Sequence, residues 1–254
     1  LSDTVMLEIH DRVACLTINR ERSRNALNDE ALGRLKASLE NLAPPAVAAI
    51  VIRGAGLKAF SAGSDIKELA SQSLKDRIAH TDLGHALGDA IEQHPCPVIA
   101  AIEGYCLGGG LEIASACDYR IAGAGAVLGL PEVALNALPS WGGTIRLPRI
   151  VGVARARELV LFGRRLTAEE AMSWSLVNRV VPQGEAFAAA VALAKETFGN
   201  TDPGIVSIAK GLLTHGTGAS TRTARHLELL ADMSVLASEA MDQGVKAFSG
   251  KGPG

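Results

Sequence analysis

The sequence predicts an α/β fold: parallel strands joined by crossover helices, with a helical region closing the chain. Two observations predict it. A β-prone apolar run, a glycine-rich loop and a helical stretch follow one another at 47–69 and again at 98–117, an order that parallel pairing requires and hairpins do not. Beyond Thr144 the apolar positions recur mostly at helical spacing. A length of 254 residues with 48% hydrophobic content supplies one large core. Only 4% of residues are aromatic and 27 are glycine, which points to closely approaching backbones.

The first elements are short. Val5–His10 and Val13–Ile18 flank Asp11-Arg12 and read as a hairpin. Asn28 is placed to cap a helix over 29–42, with Leu32, Leu35, Leu39 and Leu42 on one face. Pro44-Pro45 ends that helix, and 47–52 is an apolar strand. The glycine-rich stretch 54–68 runs into a helix, and residues 70–94 are amphipathic and polar, helical with a loose segment near 71–76, on which His80, His85 and His94 are expected to be exposed. Val98–Ile102 is a second apolar strand, and Gly108-Gly109-Gly110 then opens a helix through Cys117. Residues 120–122 and 126–129 are further short strands. Helices follow at 145–150 and 154–162, then at 168–173, where Thr167 and Glu170 form a capping box. A strand at 176–181 precedes helices at 185–198, 203–213 and 221–249. The last carries more apolar surface than one helix can hide, so it is expected to dock on the core or on another subunit. The GKGPG ending reads as a frayed tail.

Charge and composition exclude several classes. The formal net charge is −2 with no Lys/Arg run, so nothing marks a nucleic-acid surface. No apolar run reaches the roughly 18 residues of a membrane span, and no signal-peptide pattern begins the chain. Cys15, Cys96, Cys106 and Cys117 lack metal-ligand spacing and read as reduced, buried thiols of a cytoplasmic protein. The expectation is a protein with no metal, no nucleic-acid partner and no membrane association.

The glycine cluster fits neither a dinucleotide fingerprint, because Ile113 falls where the third glycine belongs, nor a P-loop. A glycine triplet alone is a weak signal whose default reading is a turn. It gains weight from Ala62-Gly63-Ser64-Asp65, a second loop between strand and helix. Two such loops at one sheet edge lie where open α/β sheets bind ligands, and facing backbone N–H groups there can stabilise an oxyanion. Glu112 and Glu132 add chemistry. Each sits among apolar residues, where an unpaired charge is costly and burial lifts a carboxyl pKa into a range useful for proton transfer. Asp65 and Asp118 read as structural, and Arg22 and Arg24 as solvated charges or phosphate contacts. No Ser or Cys stands in a recognisable nucleophile elbow.

These residues resemble the enoyl-CoA hydratase/isomerase (crotonase) superfamily over nearly the whole chain. NRERSRNALN, KAFSAGSDIKEL, PVIAAIEGYCLGGGLEIASACDYRIA, LPEVALNALPSWGGTIRLPRIVG and GRRLTAEEAMSWSLVNRVVP stand in family order and spacing. The resemblance implies a spiral of stacked ββα units over residues 1–190 and a helical region over 191–254 that assembles homotrimers or dimers of trimers. It implies an acyl-CoA thioester substrate, with no cofactor beyond the coenzyme A of the substrate. The catalytic pair would be Glu112 and Glu132. The thioester oxygen would be held by the N–H groups of Ser64 and Gly109, and the water shared by the two glutamates. Ala62, Asp65 and Ile66 would line the adenine and pantetheine path, with Arg22, Arg24, Ala26 and Leu107 beside it. Gly108, Pro131, Leu135, Ser140 and Trp141 would also contact the substrate, Trp141 either narrowing the acyl pocket or packing behind it. Both acidic positions are filled, which implies an enoyl-CoA hydratase, a carbon–oxygen lyase of fatty-acid β-oxidation. The alternatives are a specialised hydroxyacyl-CoA dehydratase of the carnitinyl-CoA kind, an enoyl-CoA isomerase, and a non-enzymatic RNA-binding member. Ser64 stands where alanine is common, Trp141 where small residues are usual, and the tail lacks the family's longer charged ending.

Overall fold

The computed structural model describes residues 3–249, so the GKGPG ending lies outside the described residues. The elements in chain order are β1 (Val5–His10), β2 (Val13–Ile18), α1 (Asp29–Glu40), β3 (Ala49–Gly54), β4 (Ala59–Ser61), α2 (Ile66–Ser71), α3 (Leu74–Glu92), β5 (Val98–Ile102), β6 (Tyr105–Leu107) and α4 (Gly109–Ala116). There follow β7 (Tyr119–Gly123), β8 (Val127–Gly129), α5 (Gly143–Val151), α6 (Val153–Phe162), β9 (Arg165–Thr167), α7 (Ala168–Ser173) and β10 (Arg179–Val181). The helices α8 (Ala186–Phe198), α9 (Pro203–Gly216), α10 (Thr221–Leu236) and α11 (Glu239–Ser249) complete the chain.

Two sheets organise these elements. The larger has strand order β1-β2-β3-β5-β7-β10, parallel except for the β1/β2 hairpin. The smaller runs β4-β6-β8-β9, parallel except for β8/β9. Each repeat gives one strand to the first sheet and the next to the second: β3 then β4, β5 then β6, β7 then β8. Sequence reading finds the long strands of the first sheet but passes over Ala59–Ser61 and Tyr105–Leu107, treating them as loop. Three residues are too few to show a period of two.

Strands covered on both faces explain the unbroken apolar runs. Ala14, Leu16, Ile18, Ile50, Ile52, Val98, Ala100 and Ala122 point into the main core, toward the helices α1, α3 and α4. Val13, Cys15, Ala49, Val51, Ile99 and Ile121 face the other way, onto α8. There Ala186, Ala190 and Ala194 recur every fourth residue, and their small side chains bring the helix close to the sheet. Residue 190, where the sequence reading divides core from helical region, lies inside this helix.

Several expectations need correction. His80 and His94 are buried, at 3% and 5% exposure, rather than exposed. The face of α3 that carries His80, Leu87 and Ile91 packs on α1 and α4, and polar spacing alone hides this because the histidines find partners inside. His94 Nδ1 accepts from Cys96 N, and Nε2 lies 2.9 Å from Leu42 O. The expected helix over 221–249 is two helices, broken at Ala237-Ser238, where the Ser238 hydroxyl accepts from Met241 N. The expected strand at 176–181 keeps only Arg179–Val181. The four cysteines are free and buried, and among the described residues no helix is long and apolar enough to cross a membrane.

A buried lysine fastens α9 to the core. Lys210 Nζ donates to Ile91 O, Cys96 O and Asp118 Oδ2, and Asp118 also accepts from Val98 N at 2.7 Å. Lys210→Met removes these three hydrogen bonds and the charge that faces Asp118, and is expected to cost about 2 kcal/mol in urea unfolding, with faster amide exchange over 203–216. An unchanged midpoint and unchanged exchange would refute this anchoring role.

Candidate active site

Two backbone bends meet at the edge of the small sheet. Gly63 (φ +92) follows β4 and Gly108 (φ +55) follows β6, so both strands turn sharply before their helices. The loops touch without side chains between them. A Cβ on Gly63 would fall 2.9 Å from Leu107 O and 3.0 Å from Gly109 N. Gly110 is tight for a different reason, since a Cβ there would strike Ser61 O at 2.6 Å. Among the described residues the N–H groups of Ser64 and Gly109 have no protein acceptor, while their neighbours do: Leu27 N donates to Gly63 O and Asp65 N to Leu27 O. Two unpartnered donors therefore flank one contact, one of them at the start of α4.

Beside them lies a cavity of about 190 Å³. Glu112, in the first turn of α4, reaches it from a helix whose every residue is buried. Its Oε1 accepts from Trp141 N at 2.7 Å and Gly143 N at 2.8 Å. Arg146 holds that turn by donating to Trp141 O while pairing with Asp89 and Glu92 of α3. Burial pushes the Glu112 carboxyl up to about 7; the two N–H donors oppose the rise and the charge of Glu132 adds to it. Glu132 opens a 3-10 turn over Glu132–Leu135, and its Oε1 sits 2.8 Å from where Gly108 would carry a Cβ. Burial raises this carboxyl also, and Oε2 is buried with no hydrogen-bond partner. Flanking apolar residues account for the burial of Glu112 but not for that of Glu132. Val133 and Leu135 are exposed, and the burial of Glu132 comes from the glycine loop it packs against.

The cavity gathers most of the residues singled out from sequence: Ala62, Ser64, Ile66, Gly108, Gly109, Glu112, Pro131, Glu132, Leu135, Ser140 and Trp141. Trp141 both lines the cavity and packs behind it. A Cβ on Gly109 or Gly84 would lie 2.3 or 2.4 Å from its ring. Five residues fall outside the cavity. Asp65 caps α2 and pairs with Arg20 at 2.9 Å, the structural role expected of it. Ala26 is buried with its carbonyl bonded to Arg20, Leu107 is half-buried, and Arg22 is exposed. Arg24 lies 5.6 Å over the Tyr105 ring in a separate depression with Lys58, although its carbonyl accepts from Ala62 N beside the cavity.

Sequence reading missed Gly63, Leu69, Arg77, His80, Thr81, Ala137 and Leu138 as lining positions. Arg77 and Thr81 stand four apart on α3, a helical spacing that is visible in the sequence but identifies no pocket. His80 bonds Ser64 Oγ through Nε2 at 2.7 Å and Asp29 through Nδ1. No local motif joins those three positions. The outer wall at Ile66 and Leu69 rests on α2, which buries none of its residues, whereas Glu112, Gly109 and Trp141 belong to the core.

The raised carboxyl has a consequence for stability. Between pH 4.5 and about 7 folded Glu112 keeps a proton that the unfolded chain has released, so stability falls as pH rises through this window and levels off above it. The rise is worth about 3 kcal/mol. Glu112→Gln retains the acceptor for both N–H groups and cannot ionise. It is expected to melt higher than the parent at pH 8, with the gain shrinking below pH 7 and vanishing near pH 4. A pH-independent difference would contradict this account.

The sequence model described as enoyl-CoA hydratase/isomerase matches residues 8–253. The chain is 36% identical over 249 residues to the short-chain-enoyl-CoA hydratase of Clostridium acetobutylicum, covering 97% of this chain and 94% of that one. It is 35% identical to the crotonyl-CoA hydratase of Syntrophomonas wolfei, covering 97% and 95%. The crystal structure of an enoyl-CoA hydratase from Bacillus anthracis superposes with a TM-score of 0.94 at 36% identity, covering 98% of this chain and 96% of that one. The stacked ββα architecture is shared with these crotonase-fold proteins, and the chain belongs to the enoyl-CoA hydratase/isomerase family.

Proposed function

We propose that the protein hydrates short-chain trans-2-enoyl-CoA thioesters to 3-hydroxyacyl-CoA, reversibly. The observation that carries this reading is the convergence on one cavity of two desolvated glutamates and two unpartnered backbone N–H groups. The printed activities of the relatives, crotonyl-CoA and short-chain enoyl-CoA hydration, support it. So does the modest cavity, about 190 Å³, with Trp141 at its back.

In this mechanism the thioester oxygen lies between Ser64 N–H and Gly109 N–H. These donors stabilise the enolate-like state that forms when oxygen adds to Cβ, an interaction of about 3 kcal/mol where one such donor has been removed elsewhere. The carbonyl is the electron sink, so acid–base groups suffice and no organic or metal cofactor is required. Glu112, with one oxygen fixed by two N–H donors, orients the attacking water and accepts its proton through the other. Glu132, with no fixed partner, carries a proton to Cα. Burial raises both carboxyls above the ordinary range, Glu112 to about 7, which favours the protonated form that a proton donor needs. The two ionise as a pair, so a pH–rate profile reports the site rather than either residue. Coenzyme A follows Ala62, Ile66 and Leu107 outward past Ala26 and Asp65, and its phosphates meet Arg22 and Arg24. Leu227, Leu230, Met233 and Leu236 of α10 are exposed in the single chain, which supports their burial between copies in a homotrimer or a dimer of trimers.

The test follows the loss of enoyl-thioester absorbance when crotonyl-CoA meets the protein. Glu132→Gln and Glu112→Gln are each expected to lower kcat by about 100-fold or more while leaving acyl-CoA affinity within a few-fold. Turnover near the parent level in either variant would remove that residue from the chemistry, and absence of hydration by the parent would overturn the reading.

A further inference from the structure

The hydration mechanism uses the backbone of Ser64 and leaves its side chain idle. That side chain has a defined environment. Ser64 Oγ lies 2.7 Å from His80 Nε2, and His80 Nδ1 meets Asp29 Oδ1. The three residues come from three elements, the β4–α2 loop, α3 and the first turn of α1, so the fold assembles them. An ionised Asp29 has no proton to give. In neutral His80, Nδ1 therefore donates to the carboxylate, and Nε2 is left to accept the Ser64 hydroxyl proton. His80 is buried at 3% exposure, and its ring meets Trp141 edge-on at 5.2 Å, which fixes its plane. Asp29 is itself held, accepting from Gln72 Nε2 at 3.1 Å. Its side chain is 45% exposed, and its part is to orient the imidazole.

A serine–histidine–aspartate chain that only propped up the loop could face in any direction. Here Ser64 and His80 both line the cavity that holds the glutamates. The residue that carries the hydroxyl also carries one of the two unpartnered N–H groups. Serine proteases combine the same two functions in one residue, whose Oγ attacks a carbonyl while its own N–H helps hold the oxyanion. A thioester bound through Ser64 N–H and Gly109 N–H would bring its carbonyl carbon beside Ser64 Oγ.

We propose that Ser64, His80 and Asp29 form a nucleophile, base and orienting group that give this protein a second activity, hydrolysis of acyl thioesters through an acyl-serine. The step balances without a further reagent. Ser64 Oγ bonds to the thioester carbonyl carbon, and its proton passes to His80 Nε2. The carbon–sulfur bond breaks, and the sulfur leaves as the free thiol with that proton. Water then attacks the serine ester and gives a proton to His80. The ester carbon–oxygen bond breaks, the carboxylic acid departs, and the proton returns to Ser64 Oγ. Saturated acyl groups are the natural substrates, because they have no double bond to hydrate. The proposal rests on the acyl-CoA reading of the cavity.

Butyryl-CoA is the probe, with free thiol measured against time and crotonyl-CoA hydration measured on the same preparation. Thiol release by the parent, lost by about 100-fold or more in Ser64→Ala and in His80→Ala, with a butyryl group found on Ser64 by peptide mass spectrometry, is the expected result. Crotonyl-CoA hydration without thiol release from butyryl-CoA would overturn this inference and leave the hydratase standing. Release that persists undiminished in Ser64→Ala would overturn it too, a readout that does not depend on whether His80→Ala folds. Ser64-dependent release without hydration would sink the hydratase reading and sustain this one. Neither activity would remove both.

Discussion

Everything at the site depends on two backbones meeting with nothing between them. The approach of Gly63 to Leu107 O and Gly109 N leaves no room for a side chain on Gly63. It also sets the spacing of the donors of Ser64 and Gly109, because each follows its bend within one residue. The small sheet makes the approach possible. Parallel pairing of β4 with β6 sends both strands to the same edge, where each must turn into a helix. The glycines of the two loops serve different ends: Gly63 and Gly108 bend the chain, Gly109 makes room for Trp141, and Gly110 makes room for Ser61.

The same arrangement sets stability against chemistry. Glu112 is 2% exposed, deep in a helix that otherwise belongs to the hydrophobic core. A carboxylate there is tolerated because two backbone N–H groups of the Trp141–Gly143 turn point at one of its oxygens. That turn is held in place by Arg146, and Arg146 by acids on α3. The alignment of one carboxylate is thus secured by a chain of polar contacts that spans three helices. Glu132 has no such support, and its unpartnered Oε2 is the kind of buried polar atom that persists at sites of function more often than elsewhere.

The legible part of this molecule was the part written locally. The long strands, the Asn28 cap, the Thr167–Glu170 capping box and the glycine loops rest on neighbouring residues, and the structure has each of them. Glu112 stood out because an acid in an apolar helix is locally anomalous. The misses share one physical cause. His80, Arg146 and Asn25 acquire their roles from partners distant in the chain: Asn25, fully buried, donates to Ala55 O and Ala59 O across the loop. Short strands such as Tyr105–Leu107 are fixed by pairing rather than by their own pattern, so periodicity had nothing to act on. Burial of a polar face, as on α3, is invisible until its partners are in place.

The unequal anchoring of the two cavity walls bears on how such a site can change over generations. The floor, made of Glu112, Gly109 and Trp141, is shared with the core, so most replacements there disturb folding before they reach function. The opposite wall stands on α2, which contributes no buried residue, with Ile66 59% exposed. Replacements at Ile66, Leu69 or Arg77 reshape the space offered to an acyl chain at little cost to folding. Substrate range and reaction chemistry are therefore separately heritable in this architecture: the one can drift while the other is held by the demands of the core.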